Sequence, residues 1–198
     1  MIEFFKFPTT EPYLKLREYY ENAIDQGQNN VEAISISSYD IDKKEVNSRL
    51  VNLKYILNEE WIFFSNYNSP KALEFFNHDQ ISALLYWDSI NVQIRIKAVI
   101  KKTSKDFSNS HFDKRDSKKN SLAISSRQSK IISSYEEVVK NFENTLNNNE
   151  KLKRPDYWGG FSLTPYLIEF WEGHPSRINK RKVFKKYNND WESYYLQP

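Results

Sequence analysis

Between positions 92 and 101 apolar and polar side chains alternate, with Val92, Ile94, Ile96, Ala98 and Ile100 on one parity and Gln93, Arg95, Lys97 and Lys101 on the other. A period of two gathers the apolar set on one face of a strand, whereas a helix would scatter it, so this segment predicts a sheet buried on one side. Segments 33–39, 49–57, 61–66 and 81–87 are likewise short, β-branched or aromatic, and bounded by polar or turn-forming residues. They predict four further strands. Closely spaced strands without regular helical crossovers favour antiparallel pairing, which predicts a mainly β fold with peripheral α: an antiparallel barrel with its helices outside.

Helices enter at three places. Leu16, Tyr19, Tyr20, Ala23 and Ile24 recur at helical spacing behind Thr10 and Pro12, with Gly27 as the stop, and set residues 1–30 apart as an N-terminal helical segment ahead of the main domain, 31–198. Ser69 and Pro70 provide start chemistry for a helix carrying Ala72, Leu73, Phe75 and Phe76. Ser134 and Glu137 form a capping box before the stripe Tyr135, Val138, Val139, Phe142 and Leu146, whose Asn-rich end at 147–149 is expected to fray. A strand over 167–172 and a hairpin around 188–190 close the chain.

Composition removes several chemistries. The chain has no cysteine, which excludes disulfides, thiolate catalysis and cysteine-based metal sites. Four glycines in 198 residues supply neither GxGxxG nor a Walker loop, so a bound phosphate must be met by side chains and a helix N-terminus. His78, His111 and His174 lack metal-ligand spacing and read as surface or loop residues. A net charge of +3 creates no global field for nucleic acid or an anionic membrane, so neither partner is expected and any anion site is local. Residues 1–8 do not form a signal peptide and no segment is a membrane span, which makes a cytoplasmic location the default expectation. Aromatics at 16% of the chain predict an aromatic-rich core.

The local candidates are few. At the C-terminus, Trp158-Gly-Gly-Phe161, Trp171, Arg177 and Arg181 crowd indoles and guanidiniums together, a set suited to a flat anion because Arg forks match phosphate and aromatic rings stack on heterocycles. The helix start at Ser69 presents free N–H groups beside Lys71, although capping and a solvated lysine would account for the same residues. Arg49 and Lys54 lie within one predicted segment, and simple alternation places them on opposite faces unless a bulge intervenes. Residues 125–129 read as a loop. His111, Arg115, Lys118 and Lys119 form a basic patch, either solvated or weakly competent for nucleic acid.

Taken in order, RLVNLK (49–54), FFSNYNSPKA (63–72), LLYW (84–87), Gln93-Ile-Arg95, SRQS (126–129), WGGF (158–161), IEFWEG (168–173), Arg177, Arg181 and the terminal Leu196-Gln-Pro198 resemble the pyridoxamine 5′-phosphate oxidase family, FMN enzymes with a split β-barrel that work as homodimers. The resemblance spans roughly 31–198. It implies that Arg49 and Lys71 hold the FMN phosphate region, with Leu50, Val51, Asn52, Leu53, Lys54, Phe64 and Ser65 beside the flavin. Gln93, Gln128, Ser129, Trp171 and Arg181 complete the cofactor site, which in this family lies at the dimer interface. Lys54, His111, Arg115, Lys119, Arg177 and Asn179 fall at substrate positions, with Arg177 and Asn179 nearest the chemistry. The implied reaction oxidises pyridoxamine or pyridoxine 5′-phosphate to pyridoxal 5′-phosphate, with O2 reduced to peroxide.

Four departures bear on that implication. Pro70 stands where the family has an arginine, His111 where it has a tyrosine, Lys119 where it has a serine, and Asn179 where it has a histidine. An amide at 179 cannot carry a proton near neutral pH. These changes keep open an oxidase of the phenazine-biosynthesis type acting on another ring, and a flavin-binding protein without turnover.

Overall fold

Two strands near opposite ends of the main sheet are joined by only two residues, and that connection rolls the sheet up. In the computed structural model, which describes residues 1–147 and 152–198, the strand order is β1 (Glu3–Phe5), β4 (Tyr55–Leu57), β5 (Glu60–Asn66), β8 (Trp158–Glu172), β7 (Val92–Lys102), β6 (Gln80–Trp87), β2 (Ala33–Asp40), β3 (Glu45–Asn52). Strands β3 and β4 lie near opposite ends of this order, yet only Leu53 and Lys54 separate them in the chain. The sheet must therefore curl until its ends meet, although no ladder joins β3 to β4 or β5. The result is an antiparallel split β-barrel, with one parallel pair at its rim, β1 against β4.

This seam corrects the expectation of one strand over 49–57. The chain ends one strand at Asn52, crosses the split, and starts another at Tyr55. It also removes the apparent conflict between Arg49 and Lys54, because alternation does not carry across a crossing between sheet edges.

The other departures have local causes. Strand β8 begins at Trp158 rather than near 167, because Pro165 looks like a break but sits at a bulge, where the register with β7 shifts between Lys97 and Ala98. Its C-terminal half then pairs with β9 (Lys180–Tyr187), which forms the expected closing hairpin with β10 (Asp190–Leu196). Two polar helices, α3 (Lys105–Lys114) and α4 (Ser117–Ser125), occupy the basic patch and the stretch that follows it, while the loop expected over 125–129 is present from Ser126 onward. Their caps are ordinary: Ser104 accepts from the Phe107 N–H, and Asp116 accepts from Lys118 and Lys119.

The three predicted helices are α1 (Glu11–Asp25), α2 (Pro70–Asn77) and α5 (Tyr135–Asn147). Gly27 ends α1 at φ 76°, a conformation that favours glycine. Helix α1 is not set apart from the barrel: Tyr13, Leu16, Tyr20 and Ala23 are buried in one cluster with Trp61, Trp87, Phe161 and Phe170, and β1 belongs to the sheet. The core is aromatic, as the composition predicts. The stripe on α5 contains no fully buried residue, and its capping box is half made, because the Glu137 N–H reaches Ser134 while the Glu137 carboxylate takes the Ser133 hydroxyl. The expected fraying beyond Asn147 falls on 148–151, outside the described residues. No described helix is long and apolar enough to cross a membrane.

Candidate active site

A groove of about 870 Å³ opens along the split in the barrel. Its walls come from β3 and the crossing (Arg49, Leu50, Val51, Asn52, Lys54), from β5 (Phe64, Ser65), from the start of α2 (Pro70, Lys71), from α3 and α4 (His111, Arg115, Lys119), and from the loop before α5 (Gln128, Ser129). Thirteen residues expected at the site thus converge on one cavity from segments up to eighty residues apart. Leu53 does not join them: its side chain is in the core and its N–H is taken by the Glu32 carbonyl.

Two cationic sets line the groove. In the first, Lys71 is only 8% exposed, and its ammonium reaches the Ser65 and Ser69 hydroxyls at 3.5 and 3.4 Å. Burial, followed by the neighbouring Arg49 charge, pulls its pKa below the usual lysine range. Ser69 does not cap α2 with its side chain; its hydroxyl donates instead to the Asn66 carbonyl at 2.7 Å, so no side chain closes the first turn beside Lys71. Arg49 is pinned on the far side, donating to Glu74 at 2.9 Å and to the Ser38 hydroxyl at 2.5 Å. Among the described residues, Lys71 has no carboxylate within ion-pair distance, and a buried cation so placed is suited to an incoming anion.

The second set is Lys54, Arg115 and Lys119. Arg115 donates to the Lys119 carbonyl at 2.8 Å and lies 4.8 Å over the Trp158 ring. Between the sets stands a stack of flat groups: Phe64 lies parallel to His111 at 3.6 Å and to Trp158 at 5.3 Å. Gln128 joins the loop to this floor, its Oε1 accepting from the Ser65 hydroxyl and the Asn66 N–H at 3.4 Å each. The site has the parts to hold a flat ligand with anionic ends.

Sequence reasoning placed His111 on the surface, but it is a half-buried member of this stack, because the helix carrying it had gone unseen. Glu74 and Tyr55 were missed as site residues, and Trp158, read only as part of the C-terminal set suited to a flat anion, stands in this stack. The WGGF block was the available signal for Trp158: its glycines let β8 run under Tyr67 and Thr103, whose hydroxyls would come within 2.2 Å and 2.5 Å of any added Cβ at Gly159 and Gly160.

The remaining expected residues lie outside the groove of a single chain. Gln93, Trp171 and Arg181 form one row across β7, β8 and β9, where paired residues share a face. Arg181 is held by Glu169, with contacts of 2.7 and 2.8 Å, and Glu169 also receives Arg95 at 2.9 Å. Arg177 and Asn179 sit in the loop between β8 and β9, Arg177 at φ 63°. Asn179 is turned into that loop, its Oδ1 accepting from the His174 N–H at 3.0 Å.

Residues 158–198 match the family model described as the pyridoxine 5′-phosphate oxidase C-terminal dimerisation region. Among curated relatives, the pyridoxine/pyridoxamine 5′-phosphate oxidase of Trichormus variabilis is 31% identical over 193 residues, covering 96% of this chain and 89% of the relative. That of Leptospira biflexa is 30% identical over 191 residues, covering 95% and 89%. Among solved structures, PhzG from Burkholderia lata in complex with tetrahydrophenazine-1-carboxylic acid superposes with a TM-score of 0.90 at 24% identity, covering 96% of this chain and 94% of that one. A pyridoxamine 5′-phosphate oxidase-related, FMN binding protein from Nostoc punctiforme gives 0.78 at 11% identity, covering 96% and 99%. These two structures agree on the fold, and the identity to the curated oxidases over nearly the whole chain goes further: this chain belongs to the pyridoxine/pyridoxamine 5′-phosphate oxidase family.

Proposed function

We propose that this protein is an FMN-dependent oxidase that converts pyridoxamine or pyridoxine 5′-phosphate to pyridoxal 5′-phosphate, with O2 as acceptor and H2O2 as product. The observation that carries the reading is the single groove with two cationic sets flanking a stack of rings. Two phosphorylated flat molecules, a cofactor and a substrate, account for both sets at once. FMN suits the first set because the Lys71 ammonium, which has no carboxylate partner among the described residues, the uncapped first turn of α2 and the pinned Arg49 together offer a phosphate several donors. When bound, FMN supplies the hydride acceptor for the substrate's C4′ carbon.

The chain's own contribution is orientation and charge. Lys54, Arg115 and Lys119 neutralise the substrate phosphate, and the Phe64–Trp158 floor sets the plane of its ring. We place Gln93, Trp171 and Arg181 in the same cofactor site of a homodimer, supplied from the outer sheet face by the second copy. Arg177 and Asn179 reach the substrate from the β8–β9 loop.

Peroxide release tests the reading. Purified protein loaded with FMN is expected to release peroxide with pyridoxine or pyridoxamine 5′-phosphate and not with the dephosphorylated vitamers. A yellow protein inert toward both phosphates would refute the substrate. Asn179 favours a second reading, an oxidase of the same fold for another ring, because its amide is committed to the loop and brings no titratable group. Turnover of a non-phosphorylated tricyclic acid, with none of the B6 phosphates, would select it.

A further inference from the structure

His111 is the one imidazole in the groove, and its ring is fixed on every side that matters. Phe64 lies flat against it at 3.6 Å and 9°, and Tyr55 meets it edge-on at 5.4 Å and 89°. The Tyr55 oxygen lies 2.7 Å from Nδ1. Tyr55 itself does not line the groove: it stands behind it, packed on Phe5 from β1 and on Phe107 from α3. The contact therefore ties the back of the imidazole to the barrel wall.

Either atom of that contact has a proton to offer in principle, and the surroundings decide between them. The Tyr55 hydroxyl has no other hydrogen-bond partner among the described residues, so if Nδ1–H were the donor the phenol proton would be left without an acceptor on a buried side chain. Donation from the phenol to Nδ1 uses both groups. Burial, with Glu3 nearby, raises the phenol pKa and keeps that proton in place. Burial first, and then the charges of Arg115, Lys54 and Lys114, bring the His111 pKa down to about 4, although Asp116 and Glu3 also line the cavities that His111 lines. The ring stays neutral, with one proton, and Nδ1 is already serving as acceptor. That proton is on Nε2.

We propose that Tyr55 is a positioning residue that holds His111 as its Nε2–H tautomer, so that the groove presents a neutral hydrogen-bond donor, beside Lys54, Arg115 and Lys119, to the phosphate of the substrate. The proposal rests on the substrate reading above for its ligand, but not for the tautomer. Nε2 has no partner among the described residues and belongs to a groove-lining side chain. The contact also ties the substrate set to β4 and β1, two short strands at the rim of the barrel.

Two measurements on the full chain test this. Long-range 1H–15N spectra resolve three imidazoles, those of His78, His111 and His174, and His111→Gln identifies the signal of interest. At pH 7 the expected pattern is protonated Nε2 and bare Nδ1, with the two tautomers mixed in Tyr55→Phe; a His111 protonated on Nδ1, or a pattern untouched by Tyr55→Phe, overturns the proposal. The second measurement titrates FMN-loaded protein with 4-deoxypyridoxine 5′-phosphate and with 4-deoxypyridoxine, which lack the reactive 4′ oxygen. Tyr55→Phe is expected to weaken the phosphate ester roughly three- to tenfold, leave the free alcohol unchanged, and add nothing in a His111→Gln background. Equal weakening of both ligands, or of neither when the ester binds, also overturns it. A protein with the expected tautomer that binds neither ligand supports the Tyr55–His111 couple and refutes the vitamer reading instead.

Discussion

In the proposed cofactor site, Lys71 is the residue on which FMN retention is expected to turn. Its ammonium is buried, depressed in pKa, and matched among the described residues only by two hydroxyls, so it contributes little to the empty fold and much to an anion placed beside it. Lys71→Met is therefore expected to weaken FMN by about tenfold to a hundredfold, the scale of a charge-assisted hydrogen bond. Riboflavin, which has no phosphate, should bind both forms alike in a fluorescence titration, and the melting temperature should not fall. His111 gives a second prediction, from linkage. Its pKa is near 6.5 in the unfolded chain and about 4 in the fold, so from pH 6.5 down to 4 only the unfolded state gains the proton and stability falls. In His111→Tyr that part of the acid sensitivity should disappear, a difference of about 1 kcal/mol between pH 7 and 4.5 once solvent screening of the half-buried ring is allowed for, measurable by urea denaturation. Side chains of this kind were legible as types and not as neighbours. Lys71 and Lys54 could be marked from local motifs, but the Glu74–Arg49 pair and the Tyr55–His111 contact join residues 25 and 56 positions apart, and no local pattern encodes them.

At the level of elements, what could be read depended on where the physics was local. The strands of the sheet interior announced themselves because one buried face imposes alternation, as in β7. Helices α3 and α4 did not, since each buries only two residues and so has no apolar stripe, and only their caps, Ser104 and Asp116, marked them. The break between β3 and β4 was invisible because it is set by closure of the whole sheet, and the early start of β8 was hidden by Pro165, which is tolerated at a bulge. Strand β8 also depends on its glycines. A methyl group at Gly159 would meet the Tyr67 oxygen at 2.2 Å, the Tyr67 ring at 2.8 Å and the Ser108 hydroxyl at 2.9 Å, with the same tyrosine bonded to the Gly160 carbonyl. Gly159→Ala should cost about 1–3 kcal/mol by overpacking, seen as a lower thermal midpoint, and should loosen the groove by displacing neighbouring Trp158.

For the molecule as a whole, the outer face of the sheet argues for a second copy. Rows of paired residues run across it: Leu50, Ser35, Leu84, Arg95, Glu169, Val183 and Tyr194 in one, and Tyr86, Gln93, Trp171, Arg181 and Leu196 in the next. Leu50 is 71% exposed, Tyr86 51% and Leu84 37%, which together make an apolar face around the ion cluster centred on Glu169. Water is a poor environment for such a face, and a copy related by two-fold symmetry would cover it with its own equivalent. The same association would account for why the expected cofactor residues divide into a groove set and a sheet-face set: each site would take one set from each chain. Leu84→Glu places two carboxylates in the middle of the proposed contact while leaving the buried face of β6 intact. Light scattering is then expected to fall from twice the 23.7 kDa chain mass to a single chain, with the far-ultraviolet circular dichroism unchanged. FMN should be lost with the partner, although every groove residue remains. A Leu84→Glu protein that is monomeric, folded and still yellow would show that one chain completes the cofactor site, and that Gln93, Trp171 and Arg181 serve the sheet rather than the flavin.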